Sequence, residues 1–226
     1  MHLLLVTLAT LATTSARRFE GLEPVVEEDI PNLCPTPASL QSALVKTTFN
    51  VTKMEGMWYE LAMKDATQPR LCKCTTSDKK VIWSENRLQD NFTLECKGAA
   101  YSNDLSFLLT KQRGVFNGTW RKIPLVDDVI FPDTVIDMSV DANGNYEWII
   151  EFQCVQGPKI GPWSHDWIFF YAFNFYARRY DDPSLVDAMV KSARKHGLAP
   201  FLDNGNPLYL IPHTDCIHGH HQKPSN

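Results

Sequence analysis

The 226-residue chain lacks any apolar stretch of the roughly 20 residues that a membrane-spanning helix needs. It also has no excess of basic residues, because 22 Lys and Arg stand against 26 Asp and Glu, for a formal net charge of −4. Nucleic-acid-binding proteins usually carry a basic stripe for the phosphates, and none is visible here. No Gly- or Ser-rich linker divides the chain. We therefore expect one main domain, without a nucleic-acid partner and without stable membrane insertion.

The amino terminus has the pattern of a cleaved secretory signal. A short apolar run is followed by small residues that end at Ala16. We expect residues 1–16 to be removed, the protein to be secreted to the extracellular space, and residues 17–33 to form an acidic, solvated lead-in.

Six cysteines are spread over the rest of the chain, an even number that favours disulfides in an oxidising compartment. Cys72 and Cys74 are separated by one residue, and no second close pair completes a tetrahedral zinc site, so no metal site is predicted. Three acceptor triplets predict glycosylated surface positions at Asn50, Asn91 and Asn117.

Strand-forming residues with a period of two dominate the middle of the chain. Asn143 and Gly144 in "DANGN" indicate a hairpin turn, because both can adopt positive φ. Many short antiparallel strands predict an all-β sandwich or a closed barrel. We predict eight strands, at 57–64, 71–77, 79–86, 91–101, 104–112, 133–140, 145–155 and 165–178.

One segment after the last strand has a helical pattern, "DDPSLVDAMVKSARKHG". Asp182 can cap its amide end, Pro183 suits its first turn, and Gly197 ends it. One apolar stripe is formed by Leu185, Val186, Met189, Val190 and Ala193. This stripe predicts a single amphipathic helix that packs on the outside of the sheet.

The order of these motifs resembles the lipocalins, and in particular the group of apolipoprotein D and the insect bilin-binding proteins. The motifs are the Cys-Pro start, "EGMWYE" at the first strand, "DANGNY" before the seventh, "FYAR" at the end of the eighth, and one helix afterwards. The resemblance implies an eight-stranded antiparallel up-and-down barrel over residues 34–216, with the helix packed outside. A flexible His-containing tail would follow at 217–226.

The resemblance also implies structural roles for individual residues. Gly56 would let the chain turn into the first strand, Trp58 would plug the closed end of the barrel, and Arg178 would lie over its indole. Disulfides would join Cys34 to Cys154, and Cys216 to either Cys72 or Cys74. Cys96 is additional, and its pairing is open, because the second and fourth predicted strands would not be neighbours in such a barrel.

Charge and parity predict which side chains face the cavity. Glu95 and Lys97 belong in water, which turns Phe92, Leu94, Cys96 and Gly98 inward on the same strand. On the last strand, the parity of Arg178 selects a face that contains Phe170, Ala172, Asn174 and Tyr176. Its opposite aromatic face stays open as the alternative.

The seventh strand allows two orientations. Alternation with Glu147 would place the aromatic face inward, with Tyr146, Trp148, Ile150 and Phe152. The bridge from Cys154 to Cys34 instead requires that face to point outward, which favours an inner face of Ile149, Glu151 and Gln153. A carboxylate at Glu151 would then influence which ligand binds.

A barrel of this kind implies a carrier with no cofactor, which binds a small hydrophobic ligand such as a pigment, retinoid, sterol or fatty acid. The alternative is an enzyme in the same cavity, similar to the lipocalin-type prostaglandin isomerase or to violaxanthin de-epoxidase. Cys96 or carboxylate chemistry would serve it, with His165 and Asp166 as further acid–base candidates. The long segment 113–132 is either a lid or a surface insertion.

Overall fold

Eight antiparallel strands form a closed up-and-down barrel in the computed structural model, which describes residues 34–120, 129–159 and 167–217. Each strand pairs with the next, and β1 pairs with both β2 and β8, which closes the barrel. A short ninth strand, β9 (Tyr209–Leu210), pairs with β1 from outside. The barrel strands are β1 (Gly56–Asp65), β2 (Cys72–Ile82), β3 (Arg87–Cys96), β4 (Ala99–Leu109), β5 (Val115–Trp120), β6 (Val129–Val140), β7 (Tyr146–Lys159) and β8 (Trp167–Ala177). The predicted fold class is confirmed.

The helix after β8 packs against the outside of the barrel, as predicted. It comprises α3 (Ser184–Ala193) and, after a kink at Gly197, α4 (Ala199–Leu202). Met189 and Ala193 are fully buried against outward-facing aromatic residues of β7 and β8, and the Phe152 and Phe201 rings lie 5.2 Å apart. Within the described residues, no helix has the length and apolar character to cross a membrane.

The closed end of the barrel is sealed by the residues that precede and begin β1. Two short helices, α1 (Pro37–Leu40) and α2 (Ala43–Thr48), and a 3-10 turn (Val51–Met54) lead into it. Trp58 is 0% exposed, and its indole N–H donates a hydrogen bond of 2.7 Å to the Met54 carbonyl. The Arg178 guanidinium lies 3.8 Å from the Trp58 ring centroid and donates hydrogen bonds to the backbone carbonyls of Lys53, Glu55 and Met57.

Three strand boundaries differ from the prediction. β2 is one continuous strand where two were expected, and the predicted strand 91–101 contains a hairpin turn. Lys97 and Gly98 both adopt positive φ in that turn, which is the geometry of a tight two-residue hairpin. The segment 113–132, expected to be a long loop that is either a lid or a surface insertion, instead holds β5 and the start of β6. Its part at 121–128 lies outside the described residues.

The structure has three disulfides, and the pairing of β2 with β3 explains the one that was not predicted. Cys34 is bonded to Cys154, and Cys74 to Cys216. Cys72 is bonded to Cys96, because the two lie directly opposite each other on β2 and β3, with their Cα atoms 4.4 Å apart. The prediction that the strands of Cys72 and Cys96 are not neighbours was wrong, because β2 had been divided into two predicted strands. No cysteine of the chain is free.

Gly114 offers a test of the closed end. It has φ +66°, and a Cβ atom there would lie 2.8 Å from Val45 Cγ1. We expect Gly114→Ala to lower the free energy of unfolding by about 2 kcal/mol, because backbone strain and a clash add together. Urea unfolding measures the loss.

The matched control is Gly205→Ala. Gly205 also has positive φ, +83°, but no atom lies within 4 Å of the added Cβ, so the control isolates backbone strain. If the two variants lose the same stability, close packing around Gly114 contributes nothing.

Candidate ligand-binding cavity

A cavity of about 410 Å³ lies inside the barrel toward its open end. Apolar side chains form much of its wall: Phe92, Leu94, Leu105, Phe107 and Phe131. The Phe131 ring occupies the space beside Gly118, where a Cβ atom would lie 2.4 Å from the ring. β4 and β5 pair only through Leu108–Asn117 and Leu109–Phe116, and the cavity extends between these strands beyond that point.

The structure brings most of the predicted cavity residues together. The cavity wall includes Phe92, Leu94, Glu151, Gln153, Asn174 and Tyr176. Ile149 lies deeper, fully buried in the apolar cluster around Trp58, and Phe170 packs at the edge of that cluster. Cys96 and Gly98 do not line the cavity: Cys96 is held in its disulfide, and Gly98 lies in the β3–β4 turn.

The faces of β7 and β8 are those selected by the Cys154 bridge and by the parity of Arg178. Glu151 and Gln153 face the cavity, whereas Ile150, Phe152 and Cys154 pack under the helix. The aromatic face of β8, with Phe173 and Phe175, also lies under the helix. The alternative orientation of β7 was therefore wrong for Trp148, Ile150 and Phe152, because α3 and α4 cover the outer face; of that set, Tyr146 alone packs inside, in the apolar cluster around Trp58.

A buried polar belt crosses the barrel between the cavity and its apolar closed end. Its centre is Lys79, which is 2% exposed. Lys79 Nζ lies 2.8 Å from Asp90 Oδ2 and 3.2 Å from Glu151 Oε1. Ser77 donates a hydrogen bond of 2.7 Å to the other Asp90 oxygen, and Lys79 Nζ also lies 4.9 Å from the Tyr176 ring centroid.

Two more carboxyl groups belong to the belt, Glu60 on β1 beside β2 and Asp133 on β6 beside β7. Glu60 lies across from Tyr176, and Asp133 lies across from Gln153, so both point inward with cavity-lining partners. Glu60 Oε1 accepts hydrogen bonds from Asn174 at 2.6 Å and from Gln68 at 3.1 Å. Both carboxyl groups are buried, with exposures of 0% and 2%.

Burial controls the protonation of this belt. It raises the pKa of Glu60 to about 8, against the partial stabilisation of the anion by Asn174 and Gln68. Burial and the Glu151 carboxylate raise the pKa of Asp133, and burial also raises the pKa of Glu151. Burial alone would lower the pKa of Lys79, but Asp90, Glu151 and Asp133 hold it above its ordinary value.

The inward orientation of four charged residues was not predicted from the sequence, because charged residues are ordinarily assigned to solvent. These residues are Lys79, Asp90, Glu60 and Asp133. One signal was available. Asp90 has the same parity as Phe92 and Leu94, so the inward face of that strand included a carboxylate as soon as β3 was extended to its true start.

Two further expectations were wrong. Glu95 does not lie in water: it is 4% exposed, and its Oε1 accepts a hydrogen bond of 2.7 Å from the Ile217 backbone, because the segment tethered by Cys216 covers it. Cys96 cannot act as a cavity nucleophile, since its sulfur is bonded to Cys72. His165 and Asp166 lie outside the described residues, as do residues 1–33 and most of the tail.

No protein-family model and no curated protein matches the chain. Among solved structures, insecticyanin from the tobacco hornworm Manduca sexta is similar, with a TM-score of 0.56 at 11% identity over 82% of this chain and 89% of that one. The siderocalin Ex-FABP aligns with a TM-score of 0.47 at 14% identity, over 71% of this chain and 94% of that one. Together with its eight-stranded closed barrel and the helix outside it, the likeness to insecticyanin shows that this chain has the lipocalin fold.

Proposed function

We propose that the protein is a carrier that binds one small, largely apolar molecule in the barrel cavity. The observation that carries this proposal is the cavity itself, about 410 Å³, with aromatic and aliphatic side chains over part of its wall. Enclosed apolar cavities with a few polar groups are the usual sites for small molecules. A ligand that enters replaces contacts between water and Phe92, Leu94, Phe107 and Phe131, which favours binding through the hydrophobic effect.

We also propose that the carrier works outside the cell. Three disulfides that cross-link all six cysteines suit an oxidising compartment. Asn50 and Asn91 are exposed and Asn117 is partly exposed, so these side chains are open to glycosylation. The predicted signal pattern of residues 1–16 supports the same proposal from the sequence.

A neutral fluorescent probe, N-phenyl-1-naphthylamine, tests the carrier function. We expect wild-type protein to bind one probe molecule. Leu94→Trp should bind it at least about tenfold more weakly, because the larger side chain fills part of the cavity. Fluorescence titration gives both affinities. Gln89→Trp is the control, since Gln89 lies on the same strand but is exposed outside the barrel.

Equal affinity of the two variants for the probe would mean that the probe binds outside the cavity. Failure of the wild-type protein to bind the probe would contradict the proposed function directly.

A further inference from the structure

The charges of the polar belt do not balance. Four carboxyl groups point inward, Glu60, Asp90, Asp133 and Glu151, and each is at least nine-tenths buried. Asp65 adds a fifth at the cavity wall near the open end. Lys79 is the basic partner in the belt, and the described cavity wall contains no Lys, Arg or His. The interior therefore has an excess of hydrogen-bond acceptors and of groups that can carry negative charge.

Part of this acceptor capacity is unused. Among the described residues, Glu60 Oε2 and Asp133 Oδ1 are buried and accept no hydrogen bond, and Glu151 Oε1 has only its ion pair with Lys79. A buried acceptor without a donor is costly, because it has lost its water and gained no partner. Glu151 lines the cavity, so a donor on a bound molecule could reach it directly, whereas Glu60 and Asp133 point inward but are not among the residues that line the cavity.

Lys79 does not offer a site for an anionic ligand. Its ammonium group already contacts Asp90 and Glu151, and the Tyr176 ring covers it at 4.9 Å. A carboxylate that entered the cavity would meet Glu151, Asp90 and Asp65 before it met an available cation. Like charges at such short range in a poorly solvated site repel strongly.

From these contacts we infer that the carried molecule has a protonated amine, or a comparably cationic nitrogen group, on an apolar body. The cationic group would meet the carboxylates of Glu151, Asp90 and their neighbours in the belt, and the apolar body would lie against Phe92, Leu94 and Phe131. This inference rests on the proposed carrier function and specifies the class of its ligand. It disfavours fatty acids and other carboxylate ligands.

Three probes with the same alkyl chain separate the head group from the apolar body: decylamine, decan-1-ol and decanoic acid. We expect wild-type protein at pH 7.5 to bind decylamine at least about tenfold more tightly than decan-1-ol, and decanoic acid most weakly. Isothermal titration calorimetry measures all three. Because burial raises the pKa of Glu60, Asp133 and Glu151, binding of the amine should also release protons, seen as a heat that depends on the buffer.

Glu151→Gln should lower the affinity for decylamine about tenfold or more, and by a larger factor than it changes the affinity for decan-1-ol. Glu147→Gln is the control, since Glu147 is an exposed carboxylate on the same strand. Binding of decan-1-ol reports that each variant retains its cavity.

The outcomes are distinct. Equal binding of the amine and the alcohol, or tighter binding of decanoic acid, overturns the inferred ligand class and leaves the carrier function standing. If none of the three probes binds to wild-type protein, the carrier function itself fails. A Glu151→Gln variant that no longer binds decan-1-ol has lost its cavity. In that case the affinities of wild-type protein for the three probes decide the ligand class.

Discussion

Replacing Lys79 with methionine is expected to lower the free energy of unfolding by about 3–5 kcal/mol, the range for removing one partner of a buried ion pair. The Lys79 side chain is 1% exposed, and its ammonium group is the cation between Asp90 and Glu151. Methionine has a similar length and fills the space, so the loss reports charge and not a cavity. The two carboxylates would remain buried without their counter-charge.

Urea unfolding at neutral pH, with the disulfides intact, measures this loss. Lys80→Met is the control, because Lys80 is the next residue on β2 and points to solvent. Adding Glu151→Gln to Lys79→Met should recover part of the stability, since one uncompensated charge is removed. A Lys79→Met variant as stable as Lys80→Met would mean that the belt is solvated or already neutral.

Replacing Glu60 with glutamine is expected to stabilise the protein at alkaline pH, by up to about 5 kcal/mol, because each unit of pKa shift corresponds to about 1.4 kcal/mol. Burial raises the pKa of Glu60 from 4.5 to about 8. The folded state thus holds a proton on Glu60 that the unfolded state releases. The stability that this proton contributes is fully present below pH about 4.5 and is lost as the pH rises toward 8. Glutamine keeps an oxygen for Asn174 and Gln68 and carries no charge to bury.

The measurement is the free energy of unfolding from pH 4 to pH 9. The two proteins should have nearly equal stability at pH 4 and diverge above pH 5, with the wild type falling. Glu147→Gln should follow the wild-type curve, since Glu147 is exposed. Parallel curves for wild type and Glu60→Gln across the range would show that Glu60 ionises freely in the folded protein.

Local patterns, together with the resemblance of their order to the lipocalins, were enough for the architecture. Alternation along the strands, the "DANGN" turn, the amphipathic stripe through Met189 and Ala193, and the motifs around Trp58 and Arg178 together indicated a lipocalin-like barrel with an outer helix. These features could be read because each depends on residues close together in the sequence. The facing of β7 from Trp148 to Cys154 followed from the resemblance, because the implied bridge to Cys34 requires Cys154 to point outward and alternation then fixes the parity of its neighbours.

Other features depend on which distant segments meet, and the tertiary structure alone decided them. Cys72 and Cys96 pair because β2 and β3 are neighbours in a register that the strand count had hidden. Glu95 is buried because a segment more than a hundred residues later covers it, and Lys79 is buried because Asp90 and Glu151 arrive from two other strands to compensate its charge. The burial of a charged side chain is a property of its partners, and alternation within one strand carries no information about them.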